Sequence, residues 1–242
     1  HAKCETQTLE GKIYSSIRSM RSNYDNQQEI KKEFPKKSVE RRNTGYAVDL
    51  LVEMAPFHAG GKDFNFCSLI AGSEGTLAFI TEIKLNVIPL PPKEAGLLCV
   101  HFNSIDESLR ANLIALKYHP SASELIDHYI LECTKDSIEQ SKNRFFVQGN
   151  PGAILVIEFA KDTREEVMKI AEQVEAAMRA AGLGYHFPLL FGEDTKKIWT
   201  LRKAGLGLLG NLPGDDKAVP VIEDTAVDVH DLPAYIRDFN DI

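Results

Sequence analysis

The stretch Gly72-Ser73-Glu74-Gly75-Thr76-Leu77-Ala78-Phe79-Ile80-Thr81-Glu82-Ile83-Lys84-Leu85 sets a glycine-bracketed turn directly against a β-rich apolar segment. Gly72 and Gly75 enclose a polar pair, so the backbone turns sharply and presents its N–H groups without a Cβ in the way. Phosphate or ribose oxygens are the natural guests of such a turn. Downstream, Phe79, Ile80, Thr81, Ile83, Leu85 and Val87 alternate and β-branch, and Pro89-Leu90-Pro91-Pro92 stops the run, which predicts a strand. Taken alone, a short Gly-x-x-Gly turn before a strand is more often hairpin chemistry than a nucleotide site. A P-loop is excluded, because no Gly-Lys-Ser/Thr follows and a strand rather than a helix comes next. The dinucleotide fingerprint of a Rossmann unit fails on the same ground.

A second motif lies upstream, Arg41-Arg42-Asn43-Thr44-Gly45-Tyr46-Ala47-Val48-Asp49-Leu50-Leu51. With it, the run resembles the second half of the FAD-binding domain in FAD-linked oxidases of the vanillyl-alcohol oxidase type. That family includes D-lactate, glycolate and D-2-hydroxyglutarate dehydrogenases. Its pattern is Asn/Thr/Ser-Gly-Tyr-x-Leu/Val-Asp, followed by Gly-Ser-Glu-Gly-Thr-Leu-Gly-x-Ile-Thr-Glu and a strand ending in prolines. The chain departs inside the core motif, with Ala78 and Phe79 where Gly-Ile is usual. The resemblance implies FAD as cofactor, with Gly45, Tyr46, Gly72, Ser73, Glu74, Gly75, Thr76, Phe79 and Ile80 as its contacts, and it extends from Arg41 to near the C-terminus.

Length and composition agree. At 242 residues the chain exceeds the common single-domain size, and 43% hydrophobic residues suffice for real cores. Cys4, Cys67, Cys99 and Cys133 are widely spaced and form no Cys-x-x-Cys, which argues against zinc, an iron–sulfur cluster or a disulfide scaffold in this segment. Reduced, mostly buried thiols in a cytoplasmic protein are expected, with peripheral association at the inner membrane through an electron acceptor as the alternative. No apolar run approaches membrane-spanning length and no signal peptide opens the chain. Residues 1–95 carry a net charge of +1 and residues 96–242 a net of −8, so general nucleic-acid binding is not expected. The basic run from Lys31 to Arg42 is interrupted by Glu33, Phe34, Pro35 and Glu40 and reads as a solvated connector.

Residues 1–9 alternate like a strand, Leu9 to Lys12 reads as a turn, and Ser15 to Lys32 is polar and weakly helical. In the family this position lies after the first FAD subdomain, which usually holds the Gly-rich pyrophosphate loop. No counterpart of that loop occurs in this sequence, so an internal fragment of a longer protein is expected. The expected organisation is residues 1–95 as the C-terminal part of the FAD-binding domain and residues 96–242 as the cap, truncated at its C-terminus.

From Gly96 the pattern changes to alternating strands and helices. A strand is predicted over Gly96–Phe102, then a helix capped by Ser104 with Glu107 at the capping-box position, a strand over Glu124–Ile130 and a short helix over Asp136–Lys142. Gly152–Ala160, with its Ala-Ile-Leu-Val-Ile-Glu-Phe core, is the clearest buried strand. Asp162 caps a helix with Val167, Ile170, Ala171, Val174, Ala177 and Met178 on one face. A strand over Tyr185–Phe191, a helix from Asp194 to Leu209 and a strand over Val219–Val227 complete the unit. The fold class is therefore α+β, a ferredoxin-like layer, and the cap of these oxidases has that general form.

One helix stands out for substrate. Lys196, Lys197, Trp199, Arg202 and Lys203 cluster in an otherwise acidic half, and Trp199-Thr200-Leu201-Arg202 is similar to the family's Trp-x-x-Arg, whose arginine grips the substrate carboxylate. A planar guanidinium suits that task because it offers two parallel hydrogen bonds. Read without the resemblance, the same residues are a solvated basic helix with a packed tryptophan. Further on, Lys217-Ala218-Val219-Pro220-Val221-Ile222-Glu223-Asp224-Thr225 resembles the branch fused to an iron–sulfur region, which implies Lys217 as a second cation, with Glu223 and Asp224 orienting these cations or lining the cleft. Paired carboxylates at a strand end are more often structural. The implied reaction is oxidation of a small 2-hydroxy acid by hydride transfer to flavin. A divalent metal in the family is held by a His-rich segment absent from this sequence, and His1, His58, His101, His119, His128, His186 and His230 form no ligand pair. A non-catalytic ferredoxin-like binding or assembly module that has lost the cofactor is the alternative.

Overall fold

The computed structural model describes residues 2–41, 45–210, 214, 215, 222 and 225–242. The chain divides into two compact units, His1–Val87 and Ile88–Ile242.

The first unit is helical. The expected N-terminal strand is instead a 3-10 turn over Ala2–Glu5, followed by α1, Leu9–Ser22. The Thr8 side chain accepts from Gly11 N and so starts a helix where a turn was expected. Asn23 caps α2, Tyr24–Glu33, by accepting from Asn26 N. Two short helices follow, α3 (Val48–Val52) and α4 (Cys67–Ile70). Arg21 binds α3 and the segment after it to α1: its guanidinium donates to the carbonyls of Leu51, Met54 and Ala55 and lies 4.7 Å from the Phe64 ring centroid. Residues 79–92 form no strand, against the sequence reading. A strand needs a partner for its backbone groups, and among the described residues none pairs with this segment; Phe79 and Val87 are 92% and 94% exposed.

The second unit elaborates a β-α-β-β-α-β order with a further short helix between its second and third strands and two helices after the fourth. Its strands are β1 (Glu94–Phe102), β2 (Ala122–Asp127), β3 (Ala153–Lys161) and β4 (Leu189–Phe191). They form an antiparallel sheet in the order β2-β3-β1-β4, the ferredoxin-like arrangement. β1 and β3 pair along their whole length, Glu94 opposite Lys161 through Phe102 opposite Ala153. Because successive side chains alternate in direction, each central strand feeds two cores. Leu98, Val100, Phe102, Leu155, Ile157 and Phe159 pack under α5 (Ile105–Ala115) and α7 (Arg164–Ala180). Leu97, Cys99, Ile154 and Val156 face Ile126, Leu131, Ile198 and Leu201, the last three on α6 (His128–Cys133) and α8 (Glu193–Gly210). The result is helix, sheet, helix, and it accounts for the near-continuous apolar runs.

Local chemistry moves several boundaries. β2 ends at Asp127 because that side chain turns to accept from Ile130 N and caps α6. The helix expected over Asp136–Lys142 is a 3-10 turn at Gln140–Arg144. Thr163 rather than Asp162 caps α7, in a full capping box with Glu166. Ser104 caps α5 as read, while Glu107 accepts from Asn103 N and from Gly184 N, tying the helix start to the turn before β4. The strand over Tyr185–Phe191 shrinks to β4, with His186 holding an isolated bridge to His101 and Pro188 between them, a residue with no N–H to give. The strand expected over Val219–Val227 lies mostly outside the described residues. A further helix, α9 (Leu232–Asn240), opens on Pro233 and reaches α5 through Arg237–Asp106.

His101 is fully buried on β1, its Nδ1 against Cys99 O and its Nε2 accepting from Gln148 N. Burial holds its pKa down to about 4, from an ordinary value of 6.5. Between those values the unfolded chain takes up a proton that the folded chain refuses, so stability is fully present above pH 6.5 and is lost as pH falls toward 4. Denaturant unfolding is expected to show a loss of about 2–3 kcal/mol between pH 7 and roughly 4.5. His101→Leu flattens the part of that slope between roughly pH 6.5 and 5; an unchanged slope there rules His101 out as its source.

Candidate active site

Two groups of chemistry-bearing residues emerge, one in each unit. In the first, the turn at residues 72–76 holds Gly72, Glu74 and Gly75 in the left-handed region, with φ of 84°, 51° and 76°. A Cβ built on Gly72 or Gly75 meets nothing within 4 Å, so the turn opens onto free space and conformation, not crowding, calls for glycine. The turn is closed by Ser73 N donating to Ile70 O and Thr76 N to Ser73 O. Among the described residues, the N–H groups of Glu74 and Gly75 donate to no protein acceptor. Successive open amides in such a turn make an anion-binding concavity, a surface suited to the oxygen-rich parts of a dinucleotide.

The two sequence motifs meet here. Tyr46 Oη lies 2.7 Å from Thr76 Oγ1, which itself donates to Ser73 O at 2.6 Å. Gly45, Tyr46, Ser73 and Thr76 therefore share one surface, with Ser73 buried beneath it. Phe79 and Ile80, read as further cofactor contacts, lie in the exposed segment and contribute no part of the closed turn.

The second group lies on α8, where Ile198 and Leu201 enter the core and Trp199 and Arg202 flank them half-buried. Arg202 Nη2 donates to Glu124 Oε2 on β2 at 2.9 Å, and Trp199 Nε1 donates to Glu158 Oε2 on β3 at 3.3 Å. Arg202 Nε is buried and has no hydrogen-bond partner among the described residues. A cavity of about 170 Å³ is lined by Leu125, Ile126, Asp127, Ile130, Arg202 and Gly205. Lys196 and Lys197 do not join this group, since they pair with Glu193 and Asp194 one turn back. Lys217, Glu223 and Asp224 lie outside the described residues.

Sequence reading missed Glu124 and Glu158. Glu158 had a signal, an acid interrupting the apolar run of β3, but nothing in the sequence joined it to Trp199, 41 positions away. Cys99 offers no reactive thiolate, because burial pushes its pKa up. Among the described residues no group of three or more His, Cys, Asp or Glu stands together as for a metal, and no helix is long and apolar enough to cross a membrane.

Residues 91–242 match the family model for the C-terminal domain of FAD linked oxidases. The chain belongs to the FAD-linked oxidases. Its α+β second unit is the domain so matched. The chain is similar to D-2-hydroxyglutarate dehydrogenase of Haemophilus influenzae, 32% identical over 196 residues, which cover 76% of this chain and 19% of that protein. Against D-2-hydroxyglutarate dehydrogenase of Pseudomonas putida it is 31% identical over 238 residues, 95% of this chain and 23% of that protein. Glycolate oxidase subunit GlcD of Bacillus subtilis is 25% identical over 208 residues, 81% of this chain and 42% of that subunit. The chain thus spans about a fifth of the length of the dehydrogenases it matches. Membership in a FAD-linked family implies FAD as the cofactor.

The Tyr46–Thr76 hydrogen bond is the link between the two motifs. A double-mutant cycle with Tyr46→Phe and Thr76→Val is expected to give a coupling of about 1 kcal/mol in unfolding free energy. Gly75→Ala costs about 1–2 kcal/mol from its positive φ alone. Strictly additive Tyr46 and Thr76 effects would show that the bond does not join the motifs.

Proposed function

We propose that this chain is the part of an FAD-dependent 2-hydroxy-acid dehydrogenase that supplies one portion of the flavin site and the carboxylate grip for substrate. The observation that carries the reading is Arg202 on α8, a half-buried arginine that lines a small cavity. The substrate is a small 2-hydroxy acid of the D-lactate, glycolate or D-2-hydroxyglutarate class, and the product is its 2-oxo acid. The family resemblance and the names of the similar proteins support that class. Residues 1–95 are assigned to the FAD-binding part and residues 96–242 to the cap.

Gly45, Tyr46 and residues 72–76 are assigned to the cofactor, through open amides and the hydroxyls of Tyr46 and Thr76, with Phe79 and Ile80 as apolar contacts. Bound FAD supplies the hydride acceptor. The residues of this chain bind and orient. Arg202 takes the carboxylate of the 2-hydroxy acid through its outer N–H groups, which fixes the direction of the α-carbon. Trp199, held by Glu158 about one turn before Arg202 on α8, is assigned to the same site. Lys217 is the second cation for substrate, and Glu223 and Asp224 orient the two cations. Any divalent metal or iron–sulfur cluster is assigned outside the residues of this chain.

The intact flavin-loaded protein is expected to be yellow and to reduce a dye with D-2-hydroxy acids, whereas this chain by itself is expected to be inactive. Arg202→Met, which keeps the apolar stem and removes the charge, is expected to lower kcat/KM by about a hundredfold or more, the worth of a charge-assisted pair of hydrogen bonds. An intact protein that binds no flavin, or an Arg202→Met enzyme with undiminished kcat/KM, overturns the reading.

A further inference from the structure

Arg202 does not stand alone. Its counter-ion, Glu124, is 78 positions away in sequence and comes from the middle of β2, on the sheet face that carries Ile126 toward α8. The other nearby acids are engaged elsewhere. Asp127 accepts from Ile130 N as the cap of α6, and Glu158 accepts from Trp199 Nε1. Glu124 is thus the carboxylate left to hold the guanidinium.

The contact has a particular form. It is made to Nη2 by one carboxylate oxygen at 2.9 Å, while Nε is buried and unpartnered among the described residues. Both side chains keep 42% of their surface exposed, so the pair sits at a rim and is screened by solvent. An exposed pair of this kind adds little to stability. Its effect is on direction: a guanidinium held at Nη2 by Glu124 and with Nε buried is fixed at two of its three nitrogens. Without that pin, the long side chain samples many rotamers and a ligand must order it.

We infer that Glu124 is a positioning residue for the carboxylate-binding step, aiming Arg202 at the substrate while its own negative charge weakens the grip. The inference rests on the proposed role of Arg202. Two opposing effects follow, and they separate chemically. Removing the whole side chain loses the aim. Replacing the carboxylate by an amide keeps an oxygen that accepts from Nη2 and removes the charge that repels the incoming carboxylate. At this solvent-exposed rim, with a dielectric close to that of bulk water, such a repulsion over about 3–6 Å corresponds to about threefold to tenfold in affinity.

The test is steady-state turnover by the intact flavin-loaded protein with glycolate, D-lactate and D-2-hydroxyglutarate as probes. Arg202→Gln comes first. A KM raised by about a hundredfold establishes Arg202 as the carboxylate contact, whereas an unchanged KM, or no turnover of any probe by the wild-type protein, overturns the functional reading itself. With Arg202 established, Glu124→Ala is expected to raise KM about tenfold and Glu124→Gln to lower it about threefold to tenfold, each with kcat within about twofold of wild type. A merely structural glutamate would shift the melting temperature and leave KM alone. Should Glu124→Ala fail to fold, Glu124→Gln decides alone, since it keeps the acceptor. A KM that is unchanged or raised in Glu124→Gln, or lowered in Glu124→Ala, overturns the positioning role while leaving Arg202 in place.

Discussion

Strands β1 and β3 are covered on both faces, and the rest of the second unit is arranged by that constraint. Leu97 and Leu98 are neighbours in sequence and lie in different cores. Each such side chain withdrawn from water contributes roughly 1.5–3 kcal/mol, so neither face of the central pair can be left bare. Helices α5 and α7 cover one face, α6 and α8 the other. The short αβ connections and the antiparallel register then leave α8 lying over β3 and β2, which carries Trp199 and Arg202 to the acids on those strands.

Placing polar groups at that margin has an electrostatic consequence. A fully buried Arg–Glu pair would lose hydration that its attraction barely restores, and a fully exposed one would impose no geometry. Arg202 and Glu124 sit between these limits, with apolar Ile126 and Ile130 beneath and solvent above. The apolar floor turns Nε inward and limits the guanidinium's freedom. In the first unit, the turn at residues 72–76 reaches a comparable end with backbone alone: left-handed residues direct amides outward, and Tyr46 and Thr76 lock the two segments together.

Much of this was legible from residues. The apolar run Ala153–Phe159, the helix face of Val167, Ala171, Val174 and Met178, and the Ser104 cap are all signals within a few positions of one another, and each stands in the structure as read. The errors lie where a local signal had a local rival. Asp162 and Thr163 are both good caps, and Thr163 wins through Glu166 three residues on. Residues 79–87 have the composition of a strand, yet a strand is a property of two segments, and composition reports on one.

Sequence by itself determined the α+β alternation of the second unit, the glycine turn with its need for positive φ, and the family through motifs quoted in order. These depend on short-range sterics, periodicity and residue type, all of which a linear chain carries. Only the tertiary structure decided that Glu124 answers Arg202, that Glu158 answers Trp199, and that Tyr46 closes on Thr76. Each of those pairs spans at least 30 positions. A contact between side chains so far apart exists only after sheet register and helix packing have brought the backbones together, and no local pattern encodes that distance.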